Sequence, residues 1–276
     1  MKDIALYEKI KTLENKFPVK FFKQTSEFGL LPHWHEHIEL LYFLSGECEF
    51  FCDGKHYYVK EGDLIVANST EIHSFTSIKA PVSYYCIITY PSFFEDISFS
   101  DIYIKNHISN DVYIRNCILN MSNEKRSQRL GSDMMIKSHN YMLFTHLIRS
   151  YRDDDVSKKE SISNSSKLKR LDKVFKYISY NYNEKITVSH LASISYLSDE
   201  YFCRFFKSAT GRTVTDYITE FRIEKASLLL ANTDDAISDI ASNTGFDDAN
   251  YFARIFKKVT GISPSQYRDN IKKTNL

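Results

Sequence analysis

Near the C-terminal end of the chain, apolar residues recur with a helical period in two stretches that match each other. Phe202, Phe205, Phe206 and Ala209 fall at i, i+3, i+4 and i+7, one stripe facing a core. Phe252, Ile255, Phe256 and Val259 repeat that stripe. The likeness extends further: Leu191 to Gly211 is echoed by Ile240 to Gly261, the mark of an internal repeat. Ala192 and Ala241 lie 49 residues apart, whereas Arg204 and Arg254 lie 50 apart. The second copy therefore carries one extra residue, and it falls in the turn between two helices.

Each copy reads as helix, short turn, helix, the unit that sets its second helix into the DNA major groove. Opposite the apolar stripes stand Glu200, Cys203, Arg204 and Lys207 in the first copy and Asn250, Ala253, Arg254 and Lys257 in the second. The core is repeated while the outer face varies, as two readers of different base pairs require. Ser198 and either Asp247 or Asp248 stand at N-cap positions, and Gly211 and Gly261 at helix ends. The joining segment, Thr215 to Asn232, makes a helix of about 27 Å at about 1.5 Å per residue. Successive major-groove faces are about 34 Å apart, so one rigid helix could set both units into one groove. A small helical bundle with polar outer faces is the rival, with Arg204 paired to Glu200 at i, i+4. It gives no reason for Arg and Lys to recur at equivalent outward positions.

The N-terminal part has a different period. Glu39 to Leu44, Cys48 to Cys52, Lys55 to Val59 and Asp63 to Ala67 are short β-rich runs separated by Ser45-Gly46, Asp53-Gly54 and Glu61-Gly62. Strands at this spacing imply a barrel or sandwich, and Asp53-Gly54 is a strong hairpin signal. Asp101 to Asn120 and Ser132 to Tyr151 predict two helices. The second carries Met134, Met135, Tyr141, Met142, Phe144, Leu147 and Ile148, apolar over more than one face, and is expected against the barrel and a twin subunit. Asp153 to Ser166 reads as a polar linker. The expected fold is α+β in two domains: a sheet-rich domain over 1–100, a helical connector over 101–152, the linker over 153–166 and an all-α double helix-turn-helix domain over 167–276.

Composition changes the picture in two respects. A chain of 276 residues with 43% hydrophobic residues fills two cores. Its net charge of +1 hides an asymmetry: from Lys167 onward 17 Lys and Arg face 13 Asp and Glu, net +4, leaving −3 elsewhere. The positive half is the repeated one, as phosphate contact requires. Cys48, Cys52, Cys86, Cys117 and Cys203 form no paired pattern, and Cys48 and Cys52 read as buried small hydrophobes. With no long apolar run and no apolar export segment after Met1, the expectation is a reduced, cytoplasmic protein away from membranes.

Candidate chemistry concentrates between His33 and Glu39. Strand alternation would put His33, His35, His37 and Glu39 on one face, with His73 arriving from a later strand. Three imidazoles and a carboxylate suit a transition metal. They also suit a metal-free ligand pocket, or a purely structural network. Alternation with His35 inward sends Trp34 outward, so no sugar-stacking ring is read here.

Two resemblances follow. The stretch from Leu168 to Tyr267, with Tyr201-Phe202-x-Arg204-x-Phe206-Lys207, Arg222-Ile223 and Thr260-Gly261-x-Ser263-Pro264, resembles the DNA-binding domain of AraC/XylS-type bacterial transcription regulators. His33-x-His35 with Glu39 and Gly46 resembles the first cupin motif, and Gly62 with His73 the second, although Asn68 and Thr70 replace the expected Pro and Gly. Together they imply a cupin-like effector domain whose His33, His35, His37, Glu39 and His73 bind a small molecule, possible sugars included, without metal or cofactor. They also imply promoter DNA contacted through Ser198, Glu200, Cys203, Arg204, Lys207, Asn250, Ala253, Arg254 and Lys257. A homodimer that engages RNA polymerase as an activator is the implied assembly, with no catalytic residues. The rivals are a metal-dependent cupin enzyme and a regulator whose barrel only dimerises.

Overall fold

The computed structural model describes residues 19–26, 29–90, 93–94, 102–153 and 161–274. The chain divides into two compact units between Leu168 and Lys169. The reading of the first residues as lacking an export segment lies outside the described residues.

The first unit is built on β1 (Val19–Ser26), β2 (Gly29–His33), β3 (Ile38–Cys52), β4 (Lys55–Lys60), β5 (Asp63–Ala67), β6 (His73–Thr89) and β7 (His107–Ser109). They form one antiparallel sheet in the order β1-β6-β3-β5-β7, with β2 also on β6 and β4 also on β3. The sequence predicts a break at Ser45-Gly46, but β3 runs through it for 15 residues. Gly46 explains the difference: its φ of +83° lets the strand bend onto β6, and a Cβ there would meet the carbonyl oxygens of Pro81 and Lys79 at 2.7 and 2.8 Å. Because the bent β3 pairs with β4, β5 and β6, the sheet curls around an interior as the expected barrel does. The predicted hairpin is present, with Asp53 and Gly54 at φ of 41° and 86°, the two positive values a type I′ turn needs.

Alternation sorts this sheet into two cores. Leu41, Phe43, Phe50, Ile65, Phe75 and Cys86 fill the interior. Leu40, Tyr42, Leu64, Val66 and Ile87 point the other way and meet Ile114, Ile118, Leu143, Phe144 and Leu147 of two helices. These are α1 (Val112–Ser127) and α2 (Ser132–Tyr151). The helix expected from Asp101 begins instead at Val112. Ile104 is pulled into a bridge with Arg152, His107–Ser109 joins β5, and the Asp111 side chain caps α1 by accepting from the Ile114 N–H at 3.0 Å. The bounds expected for α2 agree with the structure. Only one of its faces is buried, however, and Met134, Met135, Tyr141 and Met142 are exposed in one stripe.

The expected linker spans 153–166; residues 154–160 lie outside the described residues, and α3 (Ser161–Asn181) already begins inside it. The second unit takes up α3 from Lys169 and continues with α4 (Val188–Ile194), α5 (Asp199–Thr210), α6 (Val214–Asn232), α7 (Ile237–Asn243), α8 (Ala249–Thr260) and α9 (Pro264–Thr274). Its middle helix serves two cores. Near its start Tyr217 packs on Phe175 and Phe206, with ring centroids at 5.0 and 5.7 Å. Toward its end Ile223, Ala226 and Leu230 pack with Ile240, Phe252 and Phe256. An α6 buried on both counts holds the two copies together. Among the described residues no helix is long and apolar enough to cross a membrane.

Candidate functional site

The two helix-turn-helix copies are α4 with α5 and α7 with α8. Their first helices end alike: the Ser195 hydroxyl donates to the Leu191 carbonyl at 2.9 Å, and the Thr244 hydroxyl to Ile240 at 2.7 Å. The turn then runs from Ser195 to Ser198 in one copy and from Thr244 to Asp248 in the other, which places the inserted residue where the repeat offset predicts it. Asp248, not Asp247, is the N-cap of α8, and its carboxylate accepts from the Tyr251 N–H. Ser198 is the N-cap of α5 but makes no side-chain cap bond; the Ser189 hydroxyl instead reaches Asp199 and ties α4 to α5. Gly211 and Gly261 end the second helices at φ of 70° and 78°.

Phe202 and Phe206, and in the second copy Phe252 and Phe256, are fully buried. Phe205, Ile255 and Val259 reach only half-burial. Ser198, Glu200, Cys203, Arg204, Lys207, Asn250, Arg254 and Lys257 are exposed; Ala253 is half-buried, so its share of the outer face is smaller than the pattern predicts. The structure forms no Glu200–Arg204 bridge among the described residues. The Arg254 guanidinium lies over the ring of Tyr251, three residues back on the same helix, at 5.4 Å.

Arg222 links the copies. It donates to the carbonyls of Tyr182 at 2.7 Å and Glu184 at 2.8 Å, and its guanidinium lies 5.9 Å from the Phe246 ring. Burial lowers its pKa, yet the two carbonyls keep its donors engaged.

In the first unit the histidines converge by a route other than alternation. His33 ends β2, His35 and His37 sit in the bend that follows, Glu39 is on β3 and His73 opens β6 opposite His33. The Glu39 Oε2 lies 2.9 Å from His35 Nε2, 3.0 Å from His73 Nε2 and 3.9 Å from His33 Nε2. Four donor atoms, one from each of these residues, lie within 4.8 Å of one another. His37 is not among them. Its ring stacks on His35 at 3.7 Å and its backbone carbonyl accepts from His35 Nδ1, so it is a wall of the cluster.

Electrostatics follow from burial. Desolvation, then the neighbouring His73, holds the His33 pKa well below the usual imidazole range, and desolvation with His35 pushes His37 down to about 3. Burial works to raise Glu39, but hydrogen bonds from His35 and His73 outweigh it and keep its carboxyl well below the ordinary value. Burial works to lower His73, and its bond to Glu39 reverses the sign.

Two groups escaped the sequence reading. The Cys86 thiol donates to Glu39 Oε1 at 2.8 Å. Glu71 is a second buried carboxylate, its pKa raised by desolvation, that accepts from the Asn68 backbone, the Asn106 amide and the Tyr103 hydroxyl. Its own carbonyl accepts from His73 Nδ1 at 3.0 Å. A Cys and a Glu in strand-like sequence carry no local signal of such partners. A cleft of about 670 Å³, lined by Tyr42, Leu44, Lys60, Glu61, Arg115 and Leu119 among others, lies apart from the cluster.

Comparison with known proteins agrees with both halves. An AraC-like ligand binding domain matches residues 22–144, and a helix-turn-helix domain matches residues 191–270. The uncharacterized HTH-type transcriptional regulator YdeC of Bacillus subtilis is 22% identical over 97% of this chain and 99% of its own. The melibiose operon regulatory protein of Escherichia coli is 24% identical over 96% of this chain and 90% of its own. Among solved structures, ToxT from Vibrio cholerae is 17% identical, covering 91% of this chain and 98% of that one with a TM-score of 0.49. The chain belongs to the AraC/XylS family of transcription regulators, with a ligand-binding domain of the AraC-like type ahead of a double helix-turn-helix DNA-binding domain.

Proposed function

We propose that this protein is a cytoplasmic, non-enzymatic activator that binds promoter DNA as a homodimer and responds to a small molecule held by its N-terminal domain. The observation that carries the DNA half is the pair of equivalent exposed guanidiniums, Arg204 and Arg254, each standing on a helix whose other face is locked into its own core. A guanidinium so placed reaches guanine O6 and N7, while Lys207 and Lys257, one turn on, reach phosphates. Glu200, Cys203, Asn250 and Ala253 complete the two outer faces, with Ser198 at the start of the first.

The effector class we propose is a sugar, supported by similarity to the melibiose operon regulator over almost the whole chain. The polar floor of its site is the cluster of His33, His35, Glu39 and His73, walled by His37. Homodimer formation is supported by the exposed stripe of Met134, Met135, Tyr141 and Met142 on α2. An activator also contacts RNA polymerase, and residues 167–276 serve as its DNA-binding part.

The test is a thermal-shift screen of mono- and disaccharides against the full chain, followed by gel shift on DNA upstream of the neighbouring genes. A sugar that raises Tm and changes DNA affinity supports the reading. DNA binding with no response to any sugar would assign the effector to another chemistry, and a chain that sediments as a monomer with and without DNA would remove the dimer.

A further inference from the structure

We propose that the cleft between β3, the β4–β5 turn and the start of α1 is a second small-molecule site, shaped for a free α-amino acid with an apolar side chain. Its volume is about 670 Å³, and small-molecule sites run from about 300 to about 1,000 Å³. Leu40 and Tyr42 of β3 face α1 and α2, whereas Leu41 and Phe43 face the interior. By that alternation the cleft lies on the opposite side of β3 from Glu39 and the histidine cluster.

The rim of the cleft is fixed by its own hydrogen bonds. In the β4–β5 turn the Gly62 N–H donates to the Phe43 carbonyl at 3.0 Å, and the Asn110 N–H donates to the Gly62 carbonyl at 3.3 Å. Gly62 takes a φ of +87°, and a Cβ there would sit 3.0 Å from the Asn110 Oδ1. Turn and helix entry are thus held side by side. Asp111 anchors the entry: its Oδ2 lies 2.8 Å from His146 Nε2 and accepts from the Tyr151 hydroxyl at 2.7 Å. Burial works to raise the Asp111 pKa, but hydrogen bonds from His146, the Ile114 N–H and Tyr151 bring it down to about 2. Its carboxylate is charged and already engaged.

The other polar groups of the lining are of both signs and lack partners. Tyr42 is 5% exposed, yet among the described residues its hydroxyl makes no hydrogen bond, and it opens on the cleft. A buried phenol in that state calls for an acceptor. Burial raises its pKa, so it stays a donor; Arg115 works against that rise and Glu61 with it, which places a guanidinium and a carboxylate near one phenol. Lys60, Glu61 and Arg115 form no ion pair among the described residues. The first turn of α1 adds its own donors. Asp111 caps only the Ile114 N–H, which leaves those of Val112 and Tyr113 without an intrahelical acceptor, at the end of a helix that favours a carboxylate.

Charge balance narrows the ligand. Lys60 and Arg115 offset Glu61 and Asp111 in the lining, so a simple anion gains from the cations and loses to Glu61. A zwitterion uses both signs. Its carboxylate takes the Tyr42 hydroxyl, the Arg115 fork and the α1 N-terminus, and its ammonium takes Glu61. Val112, Arg115 and Leu119 follow one another at i, i+3 and i+7 along one face of α1, and Tyr42 and Leu44 share a face of β3. Val112 and Leu119 are exposed, apolar surface that a leucine or phenylalanine side chain would cover.

Isothermal titration calorimetry of the full chain with L-leucine and L-phenylalanine, without DNA or sugar, is the test. Saturable binding at one site per chain is expected for at least one of them, with a rise in Tm. Isocaproate lacks the ammonium of leucine and isoamylamine lacks its carboxylate; each should bind at least about 10-fold more weakly. Tyr42→Phe should weaken amino-acid binding about 10-fold. Arg115→Ala and Glu61→Gln, at exposed positions where folding is not at stake, should each weaken it about 3-fold, while Met134→Ala, outside the cleft, should bind as wild type does. No saturation by about 10 mM, equal binding of isocaproate, or wild-type affinity in both Tyr42→Phe and Arg115→Ala overturns the proposal. DNA and sugar stay outside the assay, so its failure leaves the regulatory reading standing.

Discussion

Tyr196 and Gly245 occupy the same place in the two helix-turn-helix copies, and both take a positive φ, 57° and 83°. Their surroundings differ. Tyr196 is 81% exposed, with the Lys173 ammonium 5.1 Å over its ring. At Gly245 a Cβ would meet the Tyr182 carbonyl oxygen at 2.7 Å and the Arg222 guanidinium at 2.9 Å. The first turn faces water and bears a left-handed tyrosine; the second is pressed against the clamp that joins the copies and has room only for glycine. Repetition preserved the turn geometry, while packing decided which residue could supply it.

Gly245→Ala therefore breaks the comparison most strongly. A left-handed φ costs an L-residue about 1–2 kcal/mol, and displacing backbone in a packed region brings the expected loss above about 2 kcal/mol. Tyr196→Gly should shift stability by no more than about 1 kcal/mol in either direction. Urea denaturation followed by far-ultraviolet circular dichroism reads both. Equal losses at the two positions would show that the turns are equivalent after all.

Base reading sharpens the comparison. Arg204→Ala and Arg254→Ala should each relax preference at particular base pairs by about 1–3 kcal/mol, with the two affected positions about 10 base pairs apart. Lys207→Ala and Lys257→Ala should weaken all sites nearly equally and reduce the salt slope by about one phosphate contact. Binding-site selection on wild type and the four variants measures this, and an unchanged motif in both Arg variants would end the paired-reader mechanism.

Helix caps give the smallest expected difference. Asp248→Ala removes a side-chain cap and should cost about 1 kcal/mol, while Ser198→Ala removes no cap bond and should cost a few tenths, about 0.3 kcal/mol. A Ser198→Ala loss as large as that of Asp248→Ala would mean the serine caps its helix in solution.

Much of the DNA-binding half was legible because its signals are local. Periodicity, the capping residues before α5 and α8, and the glycines ending them are all fixed by neighbours within about four positions. The insertion in the second turn followed from the offset alone. The first unit was legible only in outline: β-rich composition marked Glu39 to Leu44 as a strand, but Gly46 looked like a turn until β6 was placed beneath it. The start of α1 was misplaced because Ile104 and Ile108 stand at the i, i+4 spacing of a helix, yet Ile104 is taken by a bridge to Arg152 and Ile108 by pairing with β5.

The histidine cluster shows the division most clearly. By itself the sequence determined that imidazoles and a carboxylate crowd between His33 and Glu39 and that His73 follows on another strand. Only the tertiary structure decided that His37 turns aside to stack on His35, because the segment between β2 and β3 bends and alternation does not cross a bend. Glu39 meets His73 across 34 residues and Cys86 across 47, and Glu71 meets Asn106 across 35. Such partners are chosen by strand register and by the shared interior of a curled sheet, and neither is written within reach of a local pattern.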